Sequence, residues 1–377
     1  MEVLPVACAS EASSHTGALG RIPVRNLWLL MLYASELFRE VGSSLKSIEE
    51  NPDDIPDLVA EILCRRVEQR MQRNLSYGYQ VRQAALSRVR GRIDVRKTEC
   101  GRLMEHGKIA CRFNELSIDT PRNRYVLIAL NVISKLVRRT ELSHRCRSLC
   151  LGLKRMGVAE QLPSRGDVSV SQFGSHDAAD RPMVSAAQLA FNLALPTELA
   201  GKTQVPLADK EITWLRRLYE KGIAGFYAFA LGPLGWLVRV GSTYTWQISK
   251  KSPGIDRILP SMRTDIVLDD PKTERRFVID TKFNSLTVNG WYREETIRSA
   301  YIYQIYAYLK SQEGNGDPLS QTSTGILLHP SVGETIREAV TIQNHEIRFL
   351  TVDLASKPSE IRLQLLDMID SPREERS

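Results

Sequence analysis

The stretch MRTDIVLDDPKTERRFVIDTKF, residues 262–283, constrains this 377-residue chain more than any other. Two apolar, β-branched runs flank a charged segment around Asp270-Pro271, which is the signature of a β-hairpin. Side chains alternate along a strand, so Asp280 and Lys282 share one face while Ile279, Thr281 and Phe283 share the other. Folding the hairpin about residues 272–273 sets Asp265 opposite Asp280, within a residue or two of register. Directly opposed Cβ atoms lie about 4.5–5.5 Å apart. Two carboxylates held that close repel unless a divalent cation lies between them. A salt-bridged strand end is the plainer reading of Asp280 and Lys282; a metal-dependent phosphodiesterase site is the sharper one.

The sharper reading has a definite chemistry. Mg²⁺ takes one or two carboxylates together with waters and phosphate oxygens. It lowers the pKa of a bound water and neutralises charge on the transferring phosphoryl group. Lys282, on the same face, orients or deprotonates the water or stabilises developing charge. The helix expected after the hairpin, EETIRSAYIYQIYAYLKSQ, spaces Ile297, Tyr301, Ile305 and Tyr308 along one stripe. It also carries Gln304 and Tyr308 at i, i+4. Upstream, Glu220 lies in an otherwise apolar helix and is a candidate third carboxylate, with a solvated surface glutamate as the alternative. Tyr308 reads as core, and His329 before Pro330 as a strand-end residue.

Hydrophobic residues make up 42% of the chain and charged residues 25%, ordinary values for a globular protein. No apolar run approaches the roughly 20 residues that span a bilayer. The first 20 residues lack a basic segment followed by a sustained apolar run, and are expected to be a disordered lead-in and not a signal peptide. Six cysteines without a CxxC pair suit free thiols in a reducing cytoplasm and suggest no zinc site. The net charge is +7. Residues 62–155 hold 22 Lys/Arg against 7 Asp/Glu, a balance of +15, which leaves −8 for the remainder. So uneven a distribution points to an acidic partner for the first part, either DNA or protein, or to a solvated basic surface. Phosphate-loop, dinucleotide-binding and GxSxG signatures are absent from the sequence.

Along the chain, RIPVRNLWLLMLYASELF predicts a buried helix after its proline. DIPDLVAEILCRRVEQRMQRNL predicts an amphipathic one, with Ile55, Leu58, Val59, Ile62, Leu63 and Val67 on one stripe. YGYQVRQAALSRVRGRIDVRKT breaks the helical period and predicts short strands in a small basic sheet or barrel. Arg88, Arg90, Arg92 and Arg96 are its candidates for contact with DNA or a partner. TPRNRYVLIALNVISKLVRRTEL restarts a helix with Thr120 as N-cap and Pro121 at the first helical position. YTWQIS, TGILLHPSV and EIRFLTVDL are expected strands. The expected organisation is a disordered 1–20, a basic interaction domain over 21–160, a linker or irregular region over 161–205, and a catalytic domain over 206–377. The fold class is mixed α/β, with helices and a small β region in the first half and a central mixed sheet flanked by helices in the second.

Together, RIPVRNLWLLMLYA, RVRGRIDVRKT, CRFNELSIDTPRNRYVLIAL, the hairpin TDIVL…FVIDTKF and YQIYAYL resemble, in content and order, the McrC proteins. McrC is the nuclease subunit of McrBC-type systems that restrict 5-methylcytosine-containing DNA. The resemblance runs from about Arg21 to about Val352, and the RGRID and ELSIDTPRNR pieces are its specific parts. It implies a PD-(D/E)xK endonuclease domain in the second half, in which Asp265 and Asp280 bind Mg²⁺ or Mn²⁺ with the Thr281 backbone carbonyl. Lys282 then matches the catalytic lysine, Glu220 the helix glutamate, and Gln304 a helix position near the site. It also implies a cytoplasmic antiviral role, double-stranded DNA as substrate, and an AAA+ GTPase hexamer resembling McrB as partner, with GTP bound only there. Thr264 stands where the family often has proline, a change in the strand entry and not in the ligand. Two other functions stay open: a non-catalytic activator of the GTPase, and a stand-alone nuclease in repair or defence.

Overall fold

The computed structural model describes residues 18–19, 22–35, 37, 51–163, 175–200, 209–284, 286–288, 296–314, 316–333 and 335–370. The expected disordered lead-in therefore lies outside the described residues, apart from β1 (Ala18–Leu19). After β1 come β2 (Ile22–Pro23), α1 (Val24–Tyr33), α2 (Ile55–Gln72), β3 (Gly78–Leu86), β4 (Arg92–Ile93), α3 (Val95–Cys100) and β5 (Ile109–Ser117). Next are α4 (Pro121–Ile133), α5 (Thr140–Arg155), α6 (Arg181–Ala200) and α7 (Asp209–Leu231). Short strands β6 (Leu237–Val240), β7 (Thr243–Tyr244) and β8 (Met262–Arg263) precede the hairpin β9 (Ile266–Asp270) and β10 (Arg275–Thr281). The chain continues through β11 (Thr287–Val288), β12 (Thr296–Ile297), α8 (Ser299–Lys310), β13 (Thr324–Ser331), β14 (Arg337–Ile342), β15 (His345–Asp353) and α9 (Pro358–Asp367). The mixed α/β class expected from the sequence is what the chain adopts.

The contacts form two compact units, residues 1–55 with 195–377, and residues 56–194. The sequence expectation grouped 21–160 together; α1 instead packs within the unit that holds the hairpin. Its physical basis is composition. Nearly every residue of α1 is buried, so the helix needs neighbours all round. It crosses α7 where Gly222 and Gly225 leave room: a Cβ on Gly225 would stand 1.9 Å from the Tyr33 carbonyl oxygen. Asn26 further ties α1 to the region after β15, donating to the carbonyls of Leu354 at 2.7 Å and Ser356 at 2.9 Å.

In this unit the described residues form a six-stranded mixed sheet in the order β14-β15-β13-β10-β9-β6. β10, β13 and β15 run parallel, and the other pairs are antiparallel. β9 is buried throughout, and β10 is buried from Phe277 to Asp280, as strands covered on both faces should be. Joining β10 to the parallel β13 requires a crossover, and α8 supplies it. Ile305, Tyr308 and Leu309 of α8 pack with Val278, Leu327, Ile347 and Phe349 in one core. Gly325 permits this approach, since a Cβ there would meet Ile305 Cγ1 at 2.7 Å. Ile297, expected on the α8 stripe, instead lies in β12, which pairs with β11.

The second unit carries the small basic sheet, three strands in the order β3-β5-β4, so the open-sheet form of that expectation is the one realised. Of the predicted α2 stripe, Ile55, Val59, Leu63 and Val67 are fully buried. Thr120 caps α4 by accepting from the Asn123 amide at 3.2 Å, with Pro121 at the first helical position. The helix stops at Ile133, and α5 starts afresh at Thr140. Within the expected linker, residues 181–200 are helical instead. Met183, Val184, Ala187, Ala190, Leu193 and Ala194 are buried there, an apolar helical stripe hidden behind a polar lead-in. Buried Cys64 and Cys146, on α2 and α5, bring their Sγ atoms to 3.4 Å.

Candidate active site

The hairpin register decides the geometry. Ile266 pairs with Ile279, so the next residues outward, Asp265 and Asp280, are opposed. The turn that fixes this register is closed by Asp270, which accepts from the Lys272 amide at 3.0 Å and the Thr273 hydroxyl at 2.5 Å. Asp265 Oδ2 accepts two hydrogen bonds from Thr281, from its amide at 2.7 Å and its hydroxyl at 2.8 Å. The first acid is thus fastened to the strand that carries the second.

Asp280 is 1% exposed. Its Oδ2 has the Lys282 ammonium at 2.8 Å but no aligned hydrogen-bond donor. Burial pushes this carboxyl up to about 6, the lysine pulls it down, and Asp265 and Glu220 add to the rise. Burial also works against charge on Lys282, but the Asp280 carboxylate outweighs it and raises the ammonium above its ordinary value. Glu220, from α7, is raised first by burial and then by the negative charge of Asp265, so it lies within electrostatic reach of the hairpin acids.

Gln304 reaches the site through Tyr308, which lies within electrostatic reach of Asp280, Lys282 and Asp265. It donates to Tyr308 Oη at 2.6 Å, and that hydroxyl donates to the Arg263 carbonyl at 2.8 Å, just before Thr264 and Asp265. Tyr308 is core, as expected, and also a strut for the strand entry. Burial chiefly raises its phenol, and the Asp280 carboxylate adds to this.

Sequence reasoning missed three groups beside Lys282. Its Nζ lies 5.4 Å from the centroid of the Tyr301 ring. Tyr301 Oη accepts from Asn284 Nδ2 at 2.7 Å. His329, fully buried, donates from Nδ1 to the Asn284 carbonyl at 2.9 Å. Tyr301 was legible only as a helix-stripe residue; its meeting with Lys282 depends on the β10–α8–β13 crossover, which no local pattern encodes.

Among the described residues, no group of three or more His, Cys, Asp and Glu has the arrangement of a metal cage. The hairpin acids nonetheless suit a hard divalent cation. A buried carboxylate oxygen without an aligned donor, facing a second carboxylate, is relieved by an oxygen-seeking ion that takes its other ligands from water and phosphate. Thr281, whose carbonyl was expected to join them, ends β10 directly after Asp280. Arg88, Arg90, Arg92 and Arg96 lie in the other unit and are exposed. Arg90 stacks over Phe113, 4.2 Å from its centroid, and pairs with Glu115 at 3.4 Å.

Comparisons with known proteins place this geometry in context. Residues 1–174 and 240–329 match the family described as McrBC 5-methylcytosine restriction system component. The chain is 25% identical over 352 residues to the type IV methyl-directed restriction enzyme EcoKMcrBC of Escherichia coli K12, covering 93% of this chain and 97% of that protein. Two solved assemblies from Thermococcus gammatolerans are also similar. One is a half-complex from a tetradecameric assembly of McrB AAA+ hexamers with bound McrC, at 14% identity and a TM-score of 0.40 over 92% of this chain and 76% of that one. The other is the McrBC complex, at 12% identity and a TM-score of 0.33 over 49% of this chain and 60% of that one.

Proposed function

We propose that this chain, which belongs to the McrBC family of 5-methylcytosine restriction system components, is the DNA-cleaving subunit of such a system. The observation that carries the reading is the convergence of Asp265, Asp280 and Lys282 at the open end of the β9–β10 hairpin. In this reading Asp265 and Asp280 hold Mg²⁺, or Mn²⁺ in its place, with the Thr281 carbonyl as a further oxygen. Once bound, the cation supplies an activated water and neutralises charge on the phosphate.

The protein's own residues do the rest. Thr281 aims the Asp265 carboxylate through two hydrogen bonds. Asp280 is ionised at neutral pH, because a carboxyl near 6 has lost its proton by then. Lys282, whose ammonium the Asp280 carboxylate favours against the cost of burial, acts as a cation toward phosphate oxygens. Glu220 supplies a third acidic group within reach of Asp265. Gln304 acts at one remove, holding the Tyr308 strut.

The resemblance to McrC implies an AAA+ GTPase ring as partner, which the chain stimulates and where alone it meets GTP. The exposed arginines of the β3-β5-β4 unit offer double-stranded DNA or that ring a basic surface. The setting is cytoplasmic antiviral defence. Among the described residues no helix is long and apolar enough to cross a membrane. A direct test is DNA cleavage by the chain reconstituted with its partner ring, with and without chelator. Cleavage should need Mg²⁺ or Mn²⁺ and vanish in Asp265→Ala; chelator-resistant cleavage would overturn the reading.

A further inference from the structure

We infer that Tyr301 is a positioning residue for Lys282, and that Asn284 and His329 hold its ring in place. The inference rests on the reading of Lys282 as a catalytic cation. A lysine ammonium is a point charge on a flexible four-carbon stem, and one ion pair restricts it only in one direction. Asp280 provides that pair at 2.8 Å. The Tyr301 ring provides a second restraint, with Nζ 5.4 Å from its centroid, inside the range where an aromatic quadrupole attracts a cation. When Asp280 has another charge to attend to, the ring is the restraint that remains.

Tyr301 is itself fixed from outside its helix. Its Oη accepts from Asn284 Nδ2 at 2.7 Å. Asn284 is anchored in turn by its main-chain carbonyl, which accepts from His329 Nδ1 at 2.9 Å. A carbonyl only accepts, so the His329 proton sits on Nδ1 and Nε2 is bare. That Nε2 is buried without a partner. Leaving a buried acceptor unpaired costs free energy, and the tautomer that does so is the one that grips Asn284. The rings of Tyr301 and His329 lie 5.7 Å apart at 47°. The chain of contacts joins β13, the segment after β10 and the first turn of α8, three segments that meet at Lys282.

Single-turnover cleavage at saturating DNA, by the full chain reconstituted with its partner ring, tests this. Tyr301→Leu should slow cleavage about tenfold, between the sizes of an exposed and a fully desolvated cation–π contact, with DNA affinity unchanged. Tyr301→Phe keeps the ring face and should recover most of the rate. Asn284→Ala removes the same hydrogen bond to Oη as Tyr301→Phe and should match that variant. In a Lys282→Met background, Tyr301→Leu should add nothing. Wild-type cleavage by Tyr301→Leu, or an equal loss in Tyr301→Phe, or an additive loss with Lys282→Met, would overturn the proposal. If the wild-type complex cuts no DNA, the function assigned to the site fails, and a double-mutant cycle on unfolding judges the contact by itself. Non-additive stability losses for Tyr301→Leu and Lys282→Met support it, and additive ones overturn it.

Discussion

The carboxylate of Asp265 accepts both the amide and the hydroxyl of Thr281, at 2.7 and 2.8 Å, across the β9–β10 hairpin. This pair of hydrogen bonds to the neighbouring strand keeps one acid aimed while leaving Asp280 to Lys282. Thr281→Val removes the hydroxyl and keeps the shape and the amide. It should cost about 1 kcal/mol of stability, by chemical denaturation, and slow cleavage severalfold with DNA binding intact. An unchanged cleavage rate would show that the hydroxyl does not aim Asp265.

Among the described glycines Gly225 has the least room, with its hypothetical Cβ 1.9 Å from the Tyr33 oxygen. Gly225→Ala should therefore destabilise the protein by about 1–3 kcal/mol, because backbone and not a pliable side chain stands in the way. The same change at Gly222, whose hypothetical Cβ meets Leu30 at 3.0 Å, should cost less. Denaturant midpoints of the two variants decide it.

His329 gives a pH signature. Burial holds its imidazole down to about 4, against 6.5 unfolded, so the unfolded chain binds the proton first. The resulting stability is complete above about 6.5 and is lost as pH falls toward 4, by roughly 3 kcal/mol in all. Asp280, raised to about 6, acts in the opposite sense over nearly all of that window. The measurement is therefore the difference between wild type and His329→Gln, followed by thermal unfolding from pH 4 to pH 8. That difference should shrink as pH falls.

The hairpin was legible because every local signal agreed. Alternation set the faces, Asp270-Pro271 set the turn, and the two together set Asp265 against Asp280. The Thr120 cap and the α2 stripe were legible for the same reason. What escaped was non-local. Helix α1 reads as buried, but nothing in its sequence names α7 as its neighbour. Helix α6 hid behind the polar run that precedes it, and of YTWQIS only Tyr244 lies in a strand, the two-residue β7, because the other residues find no partner strand among those described. Tyr301, Asn284 and His329 come together only when the parallel β10 and β13 are joined over α8.

The exposed arginines admit a separate trial. Replacing Arg88, Arg90, Arg92 and Arg96 with alanine should weaken association with DNA or with the partner ring. If DNA is the target, the salt dependence of binding should flatten by about one unit of slope for each phosphate left without its arginine. A preserved DNA slope with weakened ring binding assigns the surface to the partner. No change in either would remove these residues from the interface.

The most direct measurement is cleavage of methylated DNA by the reconstituted complex carrying Asp280→Ala, with GTP turnover recorded in the same sample. Loss of cleavage with GTP turnover still stimulated is the predicted result, since the proposed function gives Asp280 to the phosphodiester chemistry and not to the partner. Cleavage at the wild-type rate would contradict the account.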